Sequence, residues 1–139
     1  MSFFNVFDIS ASAMKAQSVR LNTTASNLAN ADSISSSIDQ TYRARKPVFE
    51  AELNKASQAQ LESAQVKVAG IVESDAPLRK EYYPEHPMAN EEGYIFKPNV
   101  NVIEEMADMM SASRSYQANV QVAEAAKQML NSTLNLGKS

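Results

Sequence analysis

Ser12 and Lys15 stand three residues apart, the spacing at which some hydrolases set a nucleophilic hydroxyl beside an amine base. The companion motifs of those enzymes are missing, and both residues fall on a stretch with helical apolar spacing. The pair therefore reads as two ordinary positions of an amphipathic helix. Glu104 and Glu105 offer paired carboxylates, but neighbouring helix residues point about 100° apart, and acids in a first turn complement the helix dipole. Capping explains them better than acid–base work. His86, between Glu85 and Pro87, is the single histidine and has no second ligand in view, which suits a surface or aromatic-packing role. The triplets Asn22-Thr23-Thr24 and Asn131-Ser132-Thr133 match the N-glycosylation pattern but lie inside expected helices, and the pattern is common.

The rest of the inventory is equally poor in chemistry. The chain of 139 residues has no cysteine, one histidine and three glycines, which removes thiolate sites, disulfides, a histidine metal cluster and the glycine-rich phosphate loops. No cofactor and no metal are expected, and an enzyme is disfavoured. The net charge is −3, and the only dense basic cluster is Arg43, Arg45 and Lys46, so nucleic acid is not an expected partner. No apolar run reaches the roughly 20 residues of a membrane span. The first base, Lys15, follows the apolar Phe3, Phe4 and Phe7, the wrong order for a cleavable secretory signal.

What the chain does supply is two long apolar stripes. Every proline, together with Gly70 and Gly93, lies between residues 47 and 98, and only Gly137 lies outside. Both ends are thus free to form long helices. Phe4, Phe7, Ala11, Met14, Ser18, Leu21, Ala25 and Leu28 alternate at spacings of three and four, a heptad seam with Ser18 as its one polar member. This predicts a helix over 4–30, followed by a polar, serine-rich loop. Pro98 and then Asn101, three residues before Glu104, read as a capping box. From there Met106, Met109, Ser113, Tyr116, Val120, Ala123, Leu130 and Leu134 carry a second seam, and Gly137 is the expected stop. A helix over 102–136 would be about 50 Å long at roughly 1.5 Å per residue, too long for a compact domain of this size.

Between the helices, Tyr42–Glu52 and Val66–Glu73 read as strands. Residues 51–65 fit either a third short helix or a loose connection. Residues 77–98, with four prolines and Tyr82, Tyr83, Tyr94 and Phe96, suggest an extended arm pinned by aromatic contacts rather than regular structure. The expected class is α+β: an N-terminal helix unit (1–31), a central β-containing region (32–98) and a C-terminal helix unit (99–139), the two ends pairing as a coiled-coil-like α-domain. Small residues on several helix faces let other helices approach closely on more than one side, which points to neighbouring copies. The seams alone also fit an intramolecular hairpin, or a small helical adaptor or export chaperone that binds partner helices in the cytoplasm.

Two segments carry a resemblance. Ala25-Ser26-Asn27-Leu28-Ala29-Asn30-Ala31-Asp32, followed by Tyr42-Arg43, and Met110-Ser111-Ala112-Ser113-Arg114-Ser115-Tyr116-Gln117-Ala118-Asn119-Val120 resemble the terminal signatures of the bacterial flagellar axial proteins that form rod and hook. Asn27, Asn30, Ser113, Arg114, Tyr116, Gln117 and Asn119 are the signature positions. Where rod and hook proteins often have a Thr-Pro-Gly-Tyr-like turn, this chain has a serine-rich stretch ending Gln40-Thr41-Tyr42. The resemblance implies a non-enzymatic subunit of the proximal rod in the basal body. It further implies synthesis in the cytoplasm, delivery by the flagellar type III export apparatus without a cleaved signal, and assembly in the periplasmic space. The implied neighbours are copies of itself, other proximal and distal rod subunits, and proteins of the MS-ring and export-gate junction, with no insertion into the membrane. Phe4, Phe7, Met14, Leu21, Leu28, Met106, Met109, Tyr116, Val120, Leu130 and Leu134 are the expected assembly positions.

Phe3, Phe4 and Phe7 resemble the hydrophobic start of a type III substrate. Phe3 lies off the seam, so Phe3→Ser should reduce secretion while leaving the helix period intact, as read by the secreted fraction of the variant. Normal secretion would remove Phe3 from the signal.

Overall fold

The computed structural model describes residues 3–53 and 64–137, with side chains described throughout these spans except at positions 3, 4 and 53. Two helices frame the molecule, α1 over Phe3–Ala29 and α2 over Val102–Leu136. Between them lie β1 (Arg45–Leu53), β2 (Ala64–Glu73), β3 (Arg79–Tyr82) and β4 (Tyr94–Lys97). The strands form two separate antiparallel pairs, β1 with β2 and β3 with β4. The class is α+β.

The two helices run antiparallel. Arg20 of α1 pairs with Asp108 of α2, and Asn27, further along α1, lies beside Glu105, earlier in α2. Asn101 caps α2 by accepting from the backbone N–H of Ile103 at 3.2 Å, which satisfies one of the first-turn donors. The reciprocal half of the expected capping box is not made. Glu104 turns instead to Lys46 of β1, 3.4 Å away. Gly137 does end α2, but in right-handed geometry at φ −78° with its N–H on Thr133 O. A Cβ there would meet only carbonyl oxygens at 3.7 Å, so no left-handed stop requires glycine.

The β1–β2 ribbon lies along α1. A register shift between Val48 and Phe49 leaves Ala69 as an extra residue on β2, a bulge of the kind that bends a strand. Ser12 ties the ribbon down: its hydroxyl donates to Ile9 O at 2.8 Å and accepts from Val66 N–H at 3.2 Å. Two strands alone are marginal in water, so this anchorage matters. Of residues 51–65, Ala51–Leu53 and Ala64–Gln65 belong to these strands, and 54–63 fall outside the described residues.

The expectation of an irregular arm over 77–98 is corrected. Lys80 holds its ammonium 3.8 Å from the Tyr94 ring centroid, across the strand pair, and Tyr82 meets Tyr94 edge-on at 5.1 Å. These cross-strand contacts stabilise a β pair. The connecting loop returns through Gly93 at φ +79°, where a Cβ would come within 2.9 Å of the Tyr82 ring, so glycine is needed on both counts. Four prolines did not prevent the pairing, because all lie outside β3 and β4.

The core sits where these parts meet the helix ends. Ala31, Ala44 and Val100 are buried together with Tyr42 against them, and Ile95, Phe96 and Pro98 are buried nearby. Ser35 of the loop after α1 exchanges two backbone bonds with Phe96, at 3.0 and 2.9 Å. Asn99 joins three segments: its Oδ1 accepts from Ala44 N–H at 2.7 Å, and its Nδ2 donates to Ser74 O and Ala76 O. Replacing it with alanine leaves the N–H of a buried residue without its partner, which costs about 1–3 kcal/mol. Asn99→Ala should therefore lower the unfolding free energy of the purified chain by about 2 kcal/mol in a urea titration, and an unchanged midpoint would exclude Asn99 as a structural joint.

Candidate assembly surface

The fully buried side chains of the two helices are small or polar, with Glu105 the largest of them. On α1 the buried residues are Ser10, Ala16, Thr23, Thr24 and Asn27, and on α2 they are Glu105, Ala112 and Ala126. Alanines at such a contact let helix axes approach closely, and Thr23 satisfies its hydroxyl by donating to Val19 O in its own helix. The stripe of large residues lies elsewhere. Phe7, Met14, Leu21 and Leu28 are half-buried, while Ala11, Ser18 and Ala25 of the same seam are exposed. On α2, Met109, Ser113, Val120, Ala123 and Leu130 are half-buried, and Met106, Tyr116 and Leu134 are exposed. The two helices do pack together within one chain, with the seam positions half-buried or exposed rather than fully enclosed.

The signature residues divide. Asn27 is buried at 1% exposure, and Asn30 donates through Nδ2 to Ser26 O at 2.8 Å, closing the end of α1. Arg114, Tyr116 and Gln117 face solvent. Asn119 is half-buried and donates through Nδ2 to Ser115 O at 2.8 Å. Phe3 and Phe4 carry side chains outside the described set.

The apolar residues left outside are grouped. Ile103 (80% exposed), Met106 (55%) and Met110 (59%) fall within about 60° of one another on α2 at roughly 100° per residue. Val122 and Met129, seven apart and about half exposed, lie on the opposite flank of the Ala112–Ala126 line. The structure thus presents two apolar flanks on one long helix, with α1 occupying the face between them. Among the described residues no helix is long and apolar enough to cross a membrane, and no group of acids and histidine could hold a metal ion.

One buried charge carries in the sequence only the marks of a helix-start acid. Glu105 is 5% exposed, and burial pushes its carboxyl above the ordinary value of 4.5, with a hydrogen bond to Asn27 and the charge of Lys46 pulling the other way and Asp108 and Glu104 adding to the rise. No spacing rule marks it, because Glu104 beside it is fully in keeping with an exposed first turn. Ser12, dismissed as a nucleophile, is the helix-to-ribbon tie.

These positions match known families and proteins. Residues 7–33 match the family described as flagella basal body rod protein, and residues 91–136 match the flagellar basal body rod FlgEFG protein C-terminal family. The chain is 50% identical over 138 residues to the flagellar basal-body rod protein FlgC of Escherichia coli O6:H1, covering 99% of this chain and 100% of that one. It is 49% identical to FlgC of Salmonella typhimurium with the same coverage. FlgC of Aquifex aeolicus is 41% identical over 139 residues, covering 99% of both chains.

The raised carboxyl gives a pH test. The folded chain holds the Glu105 proton more tightly than the unfolded chain, so the cost of its ionised form is fully present above the raised value and vanishes as the pH falls toward 4.5. Glu105→Gln should be more stable than the parent at pH 7, a gap that closes on acidification in parallel urea titrations. A gap that widens at low pH would show that the ionised form is the one the fold favours.

Proposed function

We propose that this chain, which belongs to the FlgC family of flagellar basal-body rod proteins, builds the rod by presenting the apolar flanks of its terminal helices to neighbouring subunits. It is a structural subunit of the flagellar basal body and assembles there with other rod subunits. The observation that carries the proposed mechanism is that the fully buried side chains of α1 and α2 are small or polar while Ile103, Met106, Met110, Val122 and Met129 are exposed. Apolar side chains repeated along a helix gain about 25 cal/mol per Å² when a neighbour covers them, and a heterologous contact that does not close yields a filament.

The units 1–31 and 99–139 form an inner helical layer around the export channel, and 32–98 lies outside and makes lateral contacts. The position is the proximal rod in the periplasmic space, next to the MS-ring and export-gate junction on one side and distal rod subunits on the other. The chain arrives through the type III export apparatus without a cleaved signal, read at Phe3, Phe4 and Phe7. Torque transmission needs stiffness from interlocked helices, and no catalytic residue is assigned. The cytoplasmic adaptor alternative gains nothing from the full-length match to rod proteins.

Val120 lies on the expected seam but is half-buried, so a charge there disturbs fold and assembly together. Met110 and Val122 are exposed and separate the two. Met110→Glu and Val122→Glu should each leave the far-ultraviolet spectrum and melting of the purified chain unchanged, since surface substitutions cost within about 0.5 kcal/mol. In cells with no other copy, each should be exported yet give no rod and no motility, because a carboxylate in a packed helix contact costs several kcal/mol. Motile cells carrying either variant would overturn that flank as an assembly surface.

A further inference from the structure

The six methionines among the described residues are unevenly sheltered. Met14 and Met109 are half-buried, whereas Met106, Met110 and Met129 on α2, and Met88 in the β3–β4 loop, are about half exposed. Met106 and Met110 are one helical turn apart, so their thioethers share a single patch with Ile103. The chain has no cysteine, which leaves thioether sulfur as the only sulfur that an oxidant can reach.

We propose that Met106 and Met110 form an oxidative modification site that closes the assembly surface of the unincorporated subunit. The reactant is a peroxide. A lone pair on Sδ attacks one peroxide oxygen, the O–O bond breaks, and an S–O bond forms. Sulfur is oxidised by two electrons and hydrogen peroxide is reduced to water, giving the sulfoxide. The product replaces a flexible apolar group with a strong acceptor. In water that acceptor is solvated at no cost. Against a neighbour's apolar helix face it has no donor, and burial without one is penalised. Met109, between the two in sequence, is turned toward the α1 side of the helix and is correspondingly shielded. Once a neighbour covers the patch, the same sulfurs are out of reach, so susceptibility belongs to the free subunit.

This consequence rests on the reading of the α2 flanks as assembly surfaces, and the test separates the two. Purified full-length chain is exposed to hydrogen peroxide, and sulfoxide is followed at each methionine by peptide mass spectrometry. Met106 and Met110 should oxidise several-fold faster than Met14 and Met109, with the helical circular dichroism retained. Equal rates, or faster loss at Met109, would overturn the site while leaving the assembly reading intact. In parallel, Met106→Gln/Met110→Gln stands in for the oxidised pair and Met106→Leu/Met110→Leu for a form that cannot be oxidised. As sole copies, the leucine pair should swim and the glutamine pair should lose motility by at least about tenfold in swarm rate. A motile glutamine strain would overturn this patch as an assembly surface, and with it the proposed closure.

Discussion

The carboxamide of Asn27 is the joint through which the terminal helices and the central region are held in one arrangement. Its Oδ1 accepts from Arg45 N–H and from the Tyr42 hydroxyl, both at 2.9 Å, and its Nδ2 donates to Arg45 O at 2.8 Å. A side chain thereby pairs with both backbone groups of the first residue of β1, much as a neighbouring strand would. The same group lies beside Glu105 in the first turn of α2 and favours its ionised form. The end of one helix, the start of the other and the entry to the ribbon therefore share one buried residue at 1% exposure. In that setting each partner depends on the others, because a buried polar group is cheap when fully bonded and costly when one bond is lost.

Asparagine recurs wherever segments must be joined. Asn99 fixes the backbone around Ala44, Ser74 and Ala76, Asn101 caps α2, Asn30 closes α1, and Asn90 accepts from Glu92 and Tyr94 N–H in the β3–β4 loop. A carboxamide both donates and accepts, so it can pair with a backbone that has no strand beside it. This compensates for a small core in which, among the described residues, alanines and a few residues of 95–100 are the buried apolar groups.

The cost of a small core is offset by what the molecule leaves outside. The helix pair leaves Ile103, Met106, Met110, Val122 and Met129 of α2 exposed, and exposed apolar patches of this kind mark interaction sites. A rod subunit is completed by its neighbours, and a chain that buried both stripes internally would have no surface left to offer them.

The sequence by itself determined the elements that local chemistry dictates. The distribution of proline and glycine marked both helices, Asn101 marked the start of α2, β-branched runs marked β1 and β2, and the signatures around Asn27 and Met110–Val120 carried the family. Tertiary structure alone decided which face of each helix is inside. Heptad counting finds the line of large side chains, whereas close approach selects the line of alanine, threonine and asparagine beside it, and those two lines differ by only one or two residues in number. It also decided that residues 79–97 form a strand pair, since the contact of Lys80 with Tyr94 joins residues fourteen apart and no local pattern encodes it. Glu105 is the sharpest case: its type and position mark an exposed first-turn acid, and only the packing of α1 and β1 against it makes it a buried charge.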